Sequence, residues 1–405
     1  STYIGGNDDE RVKDIVIDSA GNIYLTGFTE STDFPVTENG YDTEKNSNYV
    51  GDVFVLKLNS ALTEVLGGTF LGADGFEEGS KIEIAPDGSV VVAGFTGSFI
   101  FPQTGNSLPG HYCGSATGMG IYANSGFAAK FSADLSELQS SKCIGGYNND
   151  KIYALAVSED GDIFVGGYTY DIPEITSGFD PSITESGSAG FILKFDSELS
   201  FIKAQTFLEG SSSESVWNLQ FSSDGLLYAA GNTQSSDFPT SVSAYKREPS
   251  STYHEIFISV TDSDLSTLYR STLVGPYDAY NVGLDIDSAG NIYVAGTTYS
   301  YEYPVTAGSF QQSIYGDADG VVSKLSSDLT TLKASTYIGS SQRDNIYDMI
   351  LGSSGDILIT GTTYGGSSSK AFPTTTFAYM EEPEGSGAAF VTRMTDDLLA
   401  GTAMG

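Results

Sequence analysis

A ten-residue phrase, a turn followed by a strand, occurs twice in this chain with almost the same sequence. Residues 18–27 read DSAGNIYLTG, and residues 287–296 read DSAGNIYVAG. Asp-Ser-Ala-Gly favours a tight turn whose glycine adopts a positive φ, and the alternating residues after it favour a half-buried strand. Four looser copies occur, and the turn glycines of all six lie 64 to 73 residues apart: Gly21, Gly88, Gly161, Gly225, Gly290 and Gly355. This regular spacing predicts a tandem array of one structural unit.

Each unit is predicted to contain four antiparallel strands, A to D. In the first unit they cover residues 12–17, 22–28, 52–58 and 65–71, and a loop of about twenty residues separates B from C. Four-stranded sheets repeated radially form a β-propeller, whereas a solenoid of the same units would need polar caps that the sequence does not show. The sequence therefore predicts an all-β, single-domain fold, a six-bladed β-propeller of four-stranded antiparallel blades at about residues 7–72, 73–146, 147–209, 210–275, 276–340 and 341–405.

The charge balance limits the partners that the chain can have. Lys and Arg number 18 against 52 Asp and Glu, which gives a net charge of −34. This acidity argues against nucleic acid, which needs a basic surface, and against docking on anionic lipid. No run of about 18 apolar residues occurs, so direct membrane insertion is not predicted. The acid excess suits a secreted protein, high salt or divalent counter-ions, and a solvated surface explains it equally well.

Several phrases together resemble a known repeat. STYIGG at residues 1–6, DSAGNIYLTGFTESTDFP at 18–35, DVFVLKL at 52–58 and STYIGS at 335–340 are similar to the SBBP-type β-propeller repeat of bacterial and archaeal surface proteins. The resemblance implies a propeller at an extracellular or cell-surface location, and it implies no particular function. That family is often associated with seven blades, whereas six are counted here. An aromatic-Pro pair follows strand B in five units, but the third has Ile172-Pro173 and a shorter loop after it.

Both ends of the sequence resemble strand D. Residues 1–6 read STYIGG, and residues 398–405, LLAGTAMG, are a weaker candidate. Six sets of A, B and C strands therefore face seven candidates for strand D. Either the N-terminal strand completes the last blade, or a spare strand pairs with a neighbouring subunit by strand addition. The second interpretation predicts self-association or binding to other surface proteins.

The long B–C and D–A loops are expected at one face of the propeller, where a ligand would bind. Aromatic residues collect in these loops, and aromatic rings suit sugars, so glycans are predicted as partners. The structural alternative is that the rings fasten loops over blade edges. The predicted glycan contacts are Tyr112, Trp217, Tyr277, Tyr280 and Tyr301.

Carboxylates recur in the D–A loops, where a ring of them would attract Ca²⁺, a cation that prefers oxygen ligands. The alternative is that each acid caps its own loop or is solvated. The best local candidate for Ca²⁺ is the phrase GDADG, in which Asp317 and Asp319 stand two residues apart. The recurring acids are Asp8, Asp9, Glu10, Glu77, Glu78, Asp150, Glu214, Asp278 and Asp344.

No catalytic set can be assembled by spacing, so no enzymatic activity is predicted. Glu83, Gln220 and Asp285 in strand A are expected near a central channel, where a structural role is favoured over catalysis. His111 and His254 lie in B–C loops, where a lone histidine is usually solvated, and no Ser-His-Asp or Cys-His arrangement is found. A polysaccharide lyase or hydrolase is the enzymatic alternative.

The two cysteines are predicted to form a disulfide. Cys113 lies in the long second B–C loop and Cys143 lies near the end of strand D of the same blade, so the two can meet at the loop end. A disulfide implies an oxidising compartment, and the alternative is two buried thiols.

Regularity, acidity, the lack of a catalytic set and the spare strand favour one function. The predicted function is a non-enzymatic, extracellular structural or adhesive propeller, a unit of a cell-surface layer or filament. A carbohydrate-binding module that uses the B–C and D–A loops is the alternative.

Overall fold

The structure, a computed structural model, describes residues 2–46, 50–117, 121–174, 177–180, 182–183, 187–250, 254–277, 281–364, 370–374 and 387–399. Within these residues every regular element is a strand. Five sheets have four antiparallel strands, one has three, and a two-stranded hairpin is inserted in the second blade. The predicted fold class, an all-β six-bladed propeller, is confirmed, and the last blade has three strands in the described part of the chain.

The chain forms two compact units, the first of which contains residues 1–208 and 263–266. This unit holds three blades, and each follows the predicted order A-B-C-D. Their strands are β1 (Glu10–Ile17), β2 (Ile23–Thr29), β3 (Asp52–Leu58) and β4 (Val65–Leu71); β5 (Glu77–Ile84), β6 (Val90–Thr96), the hairpin β7 (Ser115–Thr117) and β8 (Ile121–Ala123), β9 (Ser125–Phe131) and β10 (Leu138–Ile144); β11 (Lys151–Val157), β12 (Ile163–Thr169), β13 (Ala189–Phe195) and β14 (Ile202–Leu208).

The second unit contains residues 209–262 and 267–405 and also holds three blades. Its first two sheets have four strands, and its third sheet has three. The strands are β15 (Glu214–Phe221), β16 (Leu227–Thr233), β17 (Glu255–Thr261) and β18 (Leu268–Pro276); β19 (Gly283–Ile286), β20 (Ile292–Thr298), β21 (Asp319–Leu325) and β22 (Leu332–Ile338); β23 (Asp344–Leu351), β24 (Ile357–Thr363) and β25 (Ala388–Met394).

The repeated phrase forms the A–B turn and strand B, and it needs glycine at two positions. Gly21 has a φ of 82°, and its amide donates to the Asp18 carbonyl at 2.9 Å. Gly27 faces a bulge in β1, where the register shifts between Val12 and Asp14. A β-carbon at Gly27 would lie 1.8 Å from the Arg11 carbonyl oxygen. The first glycine therefore provides a positive φ, and the last allows two backbones to approach closely.

The hydrophobic core lies between neighbouring sheets. In the first unit, Val53 and Val55 of β3 pack with Ile82 of β5 and Phe127 of β9. In the second unit, β20 and β21 pack in the same way against β23 and β24. A sheet that lies between two others thus buries both faces, which explains why its strands B and C are almost wholly apolar rather than alternating.

The B–C loops lie along strand D of their own blades. The Thr37 amide donates to the Gly68 carbonyl on β4 at 3.1 Å, and the Phe70 amide donates back to the Asp42 carbonyl at 2.9 Å. The same pair of bonds occurs in the fourth and fifth blades, for example from Tyr337 on β22, and the second and third blades each have one of the two. The loops therefore cover the outer sheet edges, which would otherwise pair with other chains. This corrects the expectation that the long loops crowd a single face.

Each C–D turn contains a leucine with a positive φ, a conformation that costs energy in a large side chain. Leu135 is fully buried, and its carbonyl accepts the amide of Tyr41 from the preceding blade at 3.0 Å. Core burial and an inter-blade hydrogen bond thus offset the backbone strain. The six leucines are Leu62, Leu135, Leu199, Leu265, Leu329 and Leu398, with φ between 51° and 63°.

We predict that Leu135→Ala lowers the free energy of unfolding of the first unit by about 2–4 kcal/mol, because it leaves a cavity between two blades. Urea denaturation followed by tyrosine fluorescence measures the loss. Leu62→Ala is the matched control, since Leu62 has the same φ class but is only partly buried. An equal loss in both variants would contradict the role assigned to burial.

Candidate functional site

Two of the predicted ligand-binding rings are buried. Trp217 is 8% exposed and its Nε1–H donates to Asn232 Oδ1. Tyr277 is completely buried, its hydroxyl donates to the Asn281 carbonyl, and burial raises its pKa. Trp217 lies in β15 and bonds to β16, whereas Tyr277 fastens its own loop. Burial removes both rings from the surface, so the prediction that they contact a glycan is wrong. Tyr280 lies outside the described residues.

Two other predicted rings are exposed. Tyr112 belongs to the first unit and stacks on Tyr147, with ring centroids 4.8 Å apart. The Tyr147 hydroxyl donates to the Tyr112 hydroxyl at 3.0 Å, and this hydrogen bond raises the pKa of Tyr147. Tyr301 belongs to the second unit and is 81% exposed. Their contact with a ligand stays a prediction.

The recurring acids of the D–A loops cap their own blades. Glu77 is fully buried, and its Oε1 accepts the Thr96 hydroxyl at 2.8 Å while its Oε2 accepts the Ala73 amide at 3.1 Å. Not all of the recurring acids act in this way, because Asp8 and Asp9 are exposed and Glu78 pairs with Lys13 at 2.9 Å. Asp278 lies outside the described residues. In five blades an acid bonds to the threonine 19 residues later that ends strand B: Glu10–Thr29, Glu77–Thr96, Asp150–Thr169, Glu214–Thr233 and Asp344–Thr363.

A second buried carboxyl lies beside this cap in the first unit. A β-carbon on Gly72 would lie 2.8 Å from both Asp52 Oδ2 and Glu77 Oε2, so the two carboxyls converge. Asp52 Oδ2 accepts the Asn46 amide at 2.9 Å, and its Oδ1 has no hydrogen-bond partner. Burial raises the pKa of Asp52 to about 7, and the charge of Glu77 adds to this, although the Asn46 amide opposes it.

The structure contradicts the predicted calcium site. Asp317 is exposed, whereas Asp319 is buried and accepts hydrogen bonds from Gln311 Nε2, the Tyr315 amide and the Gly316 amide at 2.6, 2.9 and 3.1 Å. N–H donors therefore occupy the Asp319 oxygens. Burial raises the pKa of this carboxyl to about 6. Among the described residues, no group of three or more His, Cys, Asp or Glu side chains is arranged to hold a metal ion.

The polar residues of strand A link neighbouring blades. Asp285 Oδ1 accepts Gln220 Nε2 at 2.8 Å, and its Oδ2 accepts the Leu351 amide at 2.7 Å. The structural role favoured for Gln220 and Asp285 is thereby confirmed. Glu83 lies close to Asp14, and burial, with this second charge, raises the pKa of Glu83 to about 7.

His111 is not solvated, in contrast to the expectation for a loop histidine. It is buried, its Nδ1 accepts the Gly145 amide at 3.2 Å, and burial lowers its pKa to about 4. The predicted disulfide is present close by, between Cys113 and Cys143 with Cα atoms 5.2 Å apart. It joins the second B–C loop to β10, and Cys143 occupies the place of Phe70 on β4.

Among the described residues, nothing covers one edge and one face of the last sheet. All residues of β9, β13 and β17, the C strands of three other blades, are buried. On β25, by contrast, Ala389 and Val391 are exposed, and Val391 is 76% exposed. In the described residues β25 pairs with β24 alone. We call the unpaired side of β25 the open edge.

The first blade carries the complementary features. Ile15 of β1 is 57% exposed, whereas Ile82, at the equivalent position of the second blade, is 1% exposed. Residues 2–6, the N-terminal segment, have the sequence of strand D but form no strand in the structure. Tyr3 within it is fully exposed, and the sheet of the first blade already has four strands.

The six repeated sheets define the class of protein, a six-bladed β-propeller. Residues 1–35 match the family model described as SBBP, Beta-propeller repeat, so the chain carries a repeat of this family, as its sequence phrases indicate. No curated protein matches the sequence. The described residues contain no helix with the length and apolar character that a membrane crossing requires.

Two solved structures illustrate the likeness in fold. An ulvan lyase of polysaccharide lyase family PL25, bound to -[GlcA(1-4)Rha3S]-, is 10% identical with a TM-score of 0.54, over 100% of this chain and 85% of that chain. The NanB sialidase of Streptococcus pneumoniae is 7% identical with a TM-score of 0.50, over 89% of this chain and 66% of that chain. At these identities the likeness shows the fold alone.

We predict that the protein is more stable at pH 5 than at pH 8. The folded-state pKa of Asp52, about 7, lies above the ordinary value of 3.8, so its stabilising effect is full below about pH 4 and is lost as pH rises through 7. The side chain of the variant Asp52→Asn is neutral at every pH. The loss of unfolding free energy between pH 5 and pH 8, measured by urea denaturation, should therefore be about 2–3 kcal/mol smaller in this variant than in the wild type. Asp317→Asn removes the same charge from an exposed position, and an equal effect from it would refute the explanation.

A second prediction concerns the disulfide, whose cysteines are 30 residues apart. The double variant Cys113→Ser, Cys143→Ser should lose about 3–4 kcal/mol of unfolding free energy, since the open loop gains entropy in the unfolded chain. The wild-type protein in reductant should match the double variant. Unchanged stability on reduction would show that the bond contributes nothing.

Proposed function

We propose that this propeller is a non-enzymatic, extracellular structural protein that joins to copies of itself, as the unit of a cell-surface layer or filament. The observation that carries the proposal is the open edge on β25 together with the N-terminal segment, which has the sequence of a D strand. The described residues of the last blade include no D strand. In the proposed contact, the N-terminal segment of one copy pairs with the open edge of the next. Addition of a strand to an exposed sheet edge is an established mode of protein association.

The fifth blade provides the register of this contact. STYIG occurs both at residues 1–5 and at residues 335–339, the latter in and just after β22. There Ile338 pairs with Gly320, Tyr337 with Val321 and Thr336 with Val322 on β21. Transferred to β25, the same register pairs Ile4 with Ala389, Tyr3 with Phe390 and Thr2 with Val391.

This register brings Tyr3 to an aromatic pair. Phe372 and Phe390 of the last blade have ring centroids 4.2 Å apart. In the fifth blade the equivalent Tyr337 is buried, 6.0 Å from Tyr303. Tyr3, which is fully exposed, would gain a similar environment, and burial of one such ring contributes about 1.5–3 kcal/mol.

The two uncovered sheet faces support the same contact. Elsewhere the C strand of one blade packs against the A strand of the next, as Val53 packs with Ile82. Val391 belongs to a C strand, and Ile15 and Ile17 belong to an A strand, and all three are exposed. A head-to-tail contact between copies would bury both faces, and contacts of this type produce rings or open filaments.

Charge predicts the conditions for assembly. Copies with a net charge of −34 repel one another at long range, and salt or Ca²⁺ as a counter-ion reduces that repulsion. Ca²⁺ is proposed here as a diffuse counter-ion.

Two features support the remaining parts of the proposal. The disulfide is typical of proteins in oxidising compartments, which favours an extracellular location. The conspicuous carboxylates, such as Glu77 and Asp285, are held by hydrogen bonds within and between blades, which favours a structural role over general acid–base catalysis. The ulvan lyase and the sialidase share the fold only, so they add no enzymatic argument.

Cysteine cross-linking tests the contact. Thr2→Cys and Val391→Cys are made as separate proteins, mixed in high salt with Ca²⁺ and oxidised. Directly opposed strand residues lie within the range of Cα separations that disulfides span. We expect a mixed dimer whose cross-linked peptide contains positions 2 and 391, as identified by mass spectrometry. Arg393→Cys is the out-of-register control and should cross-link far less.

The double variant Thr2→Cys, Val391→Cys distinguishes the two ways to fill the edge. A cross-link that forms only within one chain would show that the segment completes its own last blade, and the assembly proposal would be abandoned. Sedimentation gives an independent measurement: Tyr3→Ala should abolish the assemblies, and Tyr301→Ala, another exposed tyrosine, should leave them unchanged.

A further inference from the structure

The third blade contains a cleft of about 760 Å³, within the range of about 300–1,000 Å³ that is usual for small-molecule sites. It opens at the blade that departs from the repeat, where Ile172 replaces the aromatic residue of the other blades and the following loop is shorter. The lining residues are Asn148, Asn149, Tyr170, Asp171, Ile172, Glu174, Ile183 and Gly187.

The polar wall of the cleft is held in place before any ligand binds. Asp171 Oδ2 accepts the Tyr147 amide at 2.8 Å and Asn148 Nδ2 at 3.0 Å, and its Oδ1 accepts the Asn148 amide at 3.0 Å. Asn149 Nδ2 donates to the Tyr168 hydroxyl at 2.6 Å, and its Oδ1 accepts Asn124 Nδ2 at 3.0 Å. A wall fixed in this way loses little entropy on binding.

The apolar part of the cleft suits a flat, weakly polar surface. Tyr170 is 49% exposed, and its ring stands nearly perpendicular to that of Tyr168, with centroids 6.1 Å apart. Ile172 is buried in the lining and Ile183 is partly buried. Beside the cleft, the stacked rings of Tyr112 and Tyr147 extend the aromatic surface. The C–H face of a sugar ring matches such a surface, and its hydroxyls match amides and carboxylates.

Charge restricts the ligand further. The lining contains two carboxylates, Asp171 and Glu174, and no Lys or Arg. Acidic sugars, phosphates and other anions would meet these charges without a compensating cation. A carboxylate can instead accept hydrogen bonds from neutral hydroxyl groups, as it does from hydroxyls elsewhere in this chain.

We propose that this third-blade cleft binds an uncharged oligosaccharide, with Tyr170 as the stacking residue and Asn148, Asn149 and Asp171 as its polar wall. The cleft lies within the first unit, and the inference does not depend on the proposed assembly.

The test is titration calorimetry of the full chain with cellohexaose, mannohexaose and N-acetylchitohexaose as uncharged probes, and with oligogalacturonate and chitosan hexamer as charged ones. At least one uncharged probe should bind with a Kd below about 1 mM, and oligogalacturonate should not bind. Failure of all three uncharged probes, or binding of the cationic chitosan hexamer alone, would overturn the proposal.

Variants locate the binding. Tyr170→Ala should weaken the affinity about tenfold or more, whereas Tyr170→Phe, which keeps the ring, should stay within about threefold. Tyr269→Ala, a tyrosine of the other unit with a similar exposure of 52%, is the matched control and should bind like the wild type. Equal affinity in Tyr170→Ala and the wild type would place binding elsewhere, and an equal loss in the Ala and Phe variants would refute stacking. Circular dichroism of each variant confirms that it is folded.

Discussion

Each sheet of this fold ends in an outer strand whose backbone N–H and C=O groups need hydrogen-bond partners. The rest of the architecture depends on which segment provides those partners. Five blades supply them from their own B–C loops, as Thr37 and Asp42 do for β4. A loop that must run along a strand and return needs about the twenty residues observed, so loop length follows from edge protection. The last blade differs within the described residues, because β25 has no strand or loop bonded to its outer side.

Neighbouring blades are joined by buried groups that would be costly alone. A left-handed leucine is unfavourable in isolation, yet Leu135 fills space between two sheets and its carbonyl accepts an amide from the preceding blade. A buried carboxylate is also costly alone. Glu77 offsets its desolvation because it accepts hydrogen bonds from two hydroxyls and an amide. Asp52 places a second buried carboxyl beside Glu77, and its Oδ1 accepts no hydrogen bond. Protonation of Asp52 is therefore favoured, and its pKa is raised to about 7. The free energy of unfolding is therefore expected to depend on pH through these buried carboxyls.

The sequence predicts the parts of this structure that are local. A glycine at a turn position, such as Gly21, indicates a positive φ, so the turns and the strands that they join could be predicted. The disulfide could be predicted because Cys113 and Cys143 lie in one blade. The burial of Trp217 and Tyr277 could not be predicted. Trp217 was assigned to a loop but lies in β15, and the residue type of Tyr277 does not show whether its ring faces solvent or the protein. The positive φ of Leu135 could not be predicted either, because tertiary packing imposes this backbone conformation and the residue type does not indicate it. The capping role of Glu77 was encoded, in the constant spacing of 19 residues to Thr96, but a carboxylate in a loop also fits a cation site.

Residues that recur from blade to blade indicate structural roles, whereas residues that depart from the repeat indicate where a function is expected. A residue that recurs in most blades is expected to be structural, as is the acid that bonds to the last threonine of strand B in five of them. A function is expected where a blade departs from its neighbours without losing its core. The third blade departs where Ile172 interrupts the aromatic series at the cleft, and the last departs where β25 exposes side chains that are buried on other C strands. These are the places where a ligand or another chain would provide contacts that the blade does not make itself.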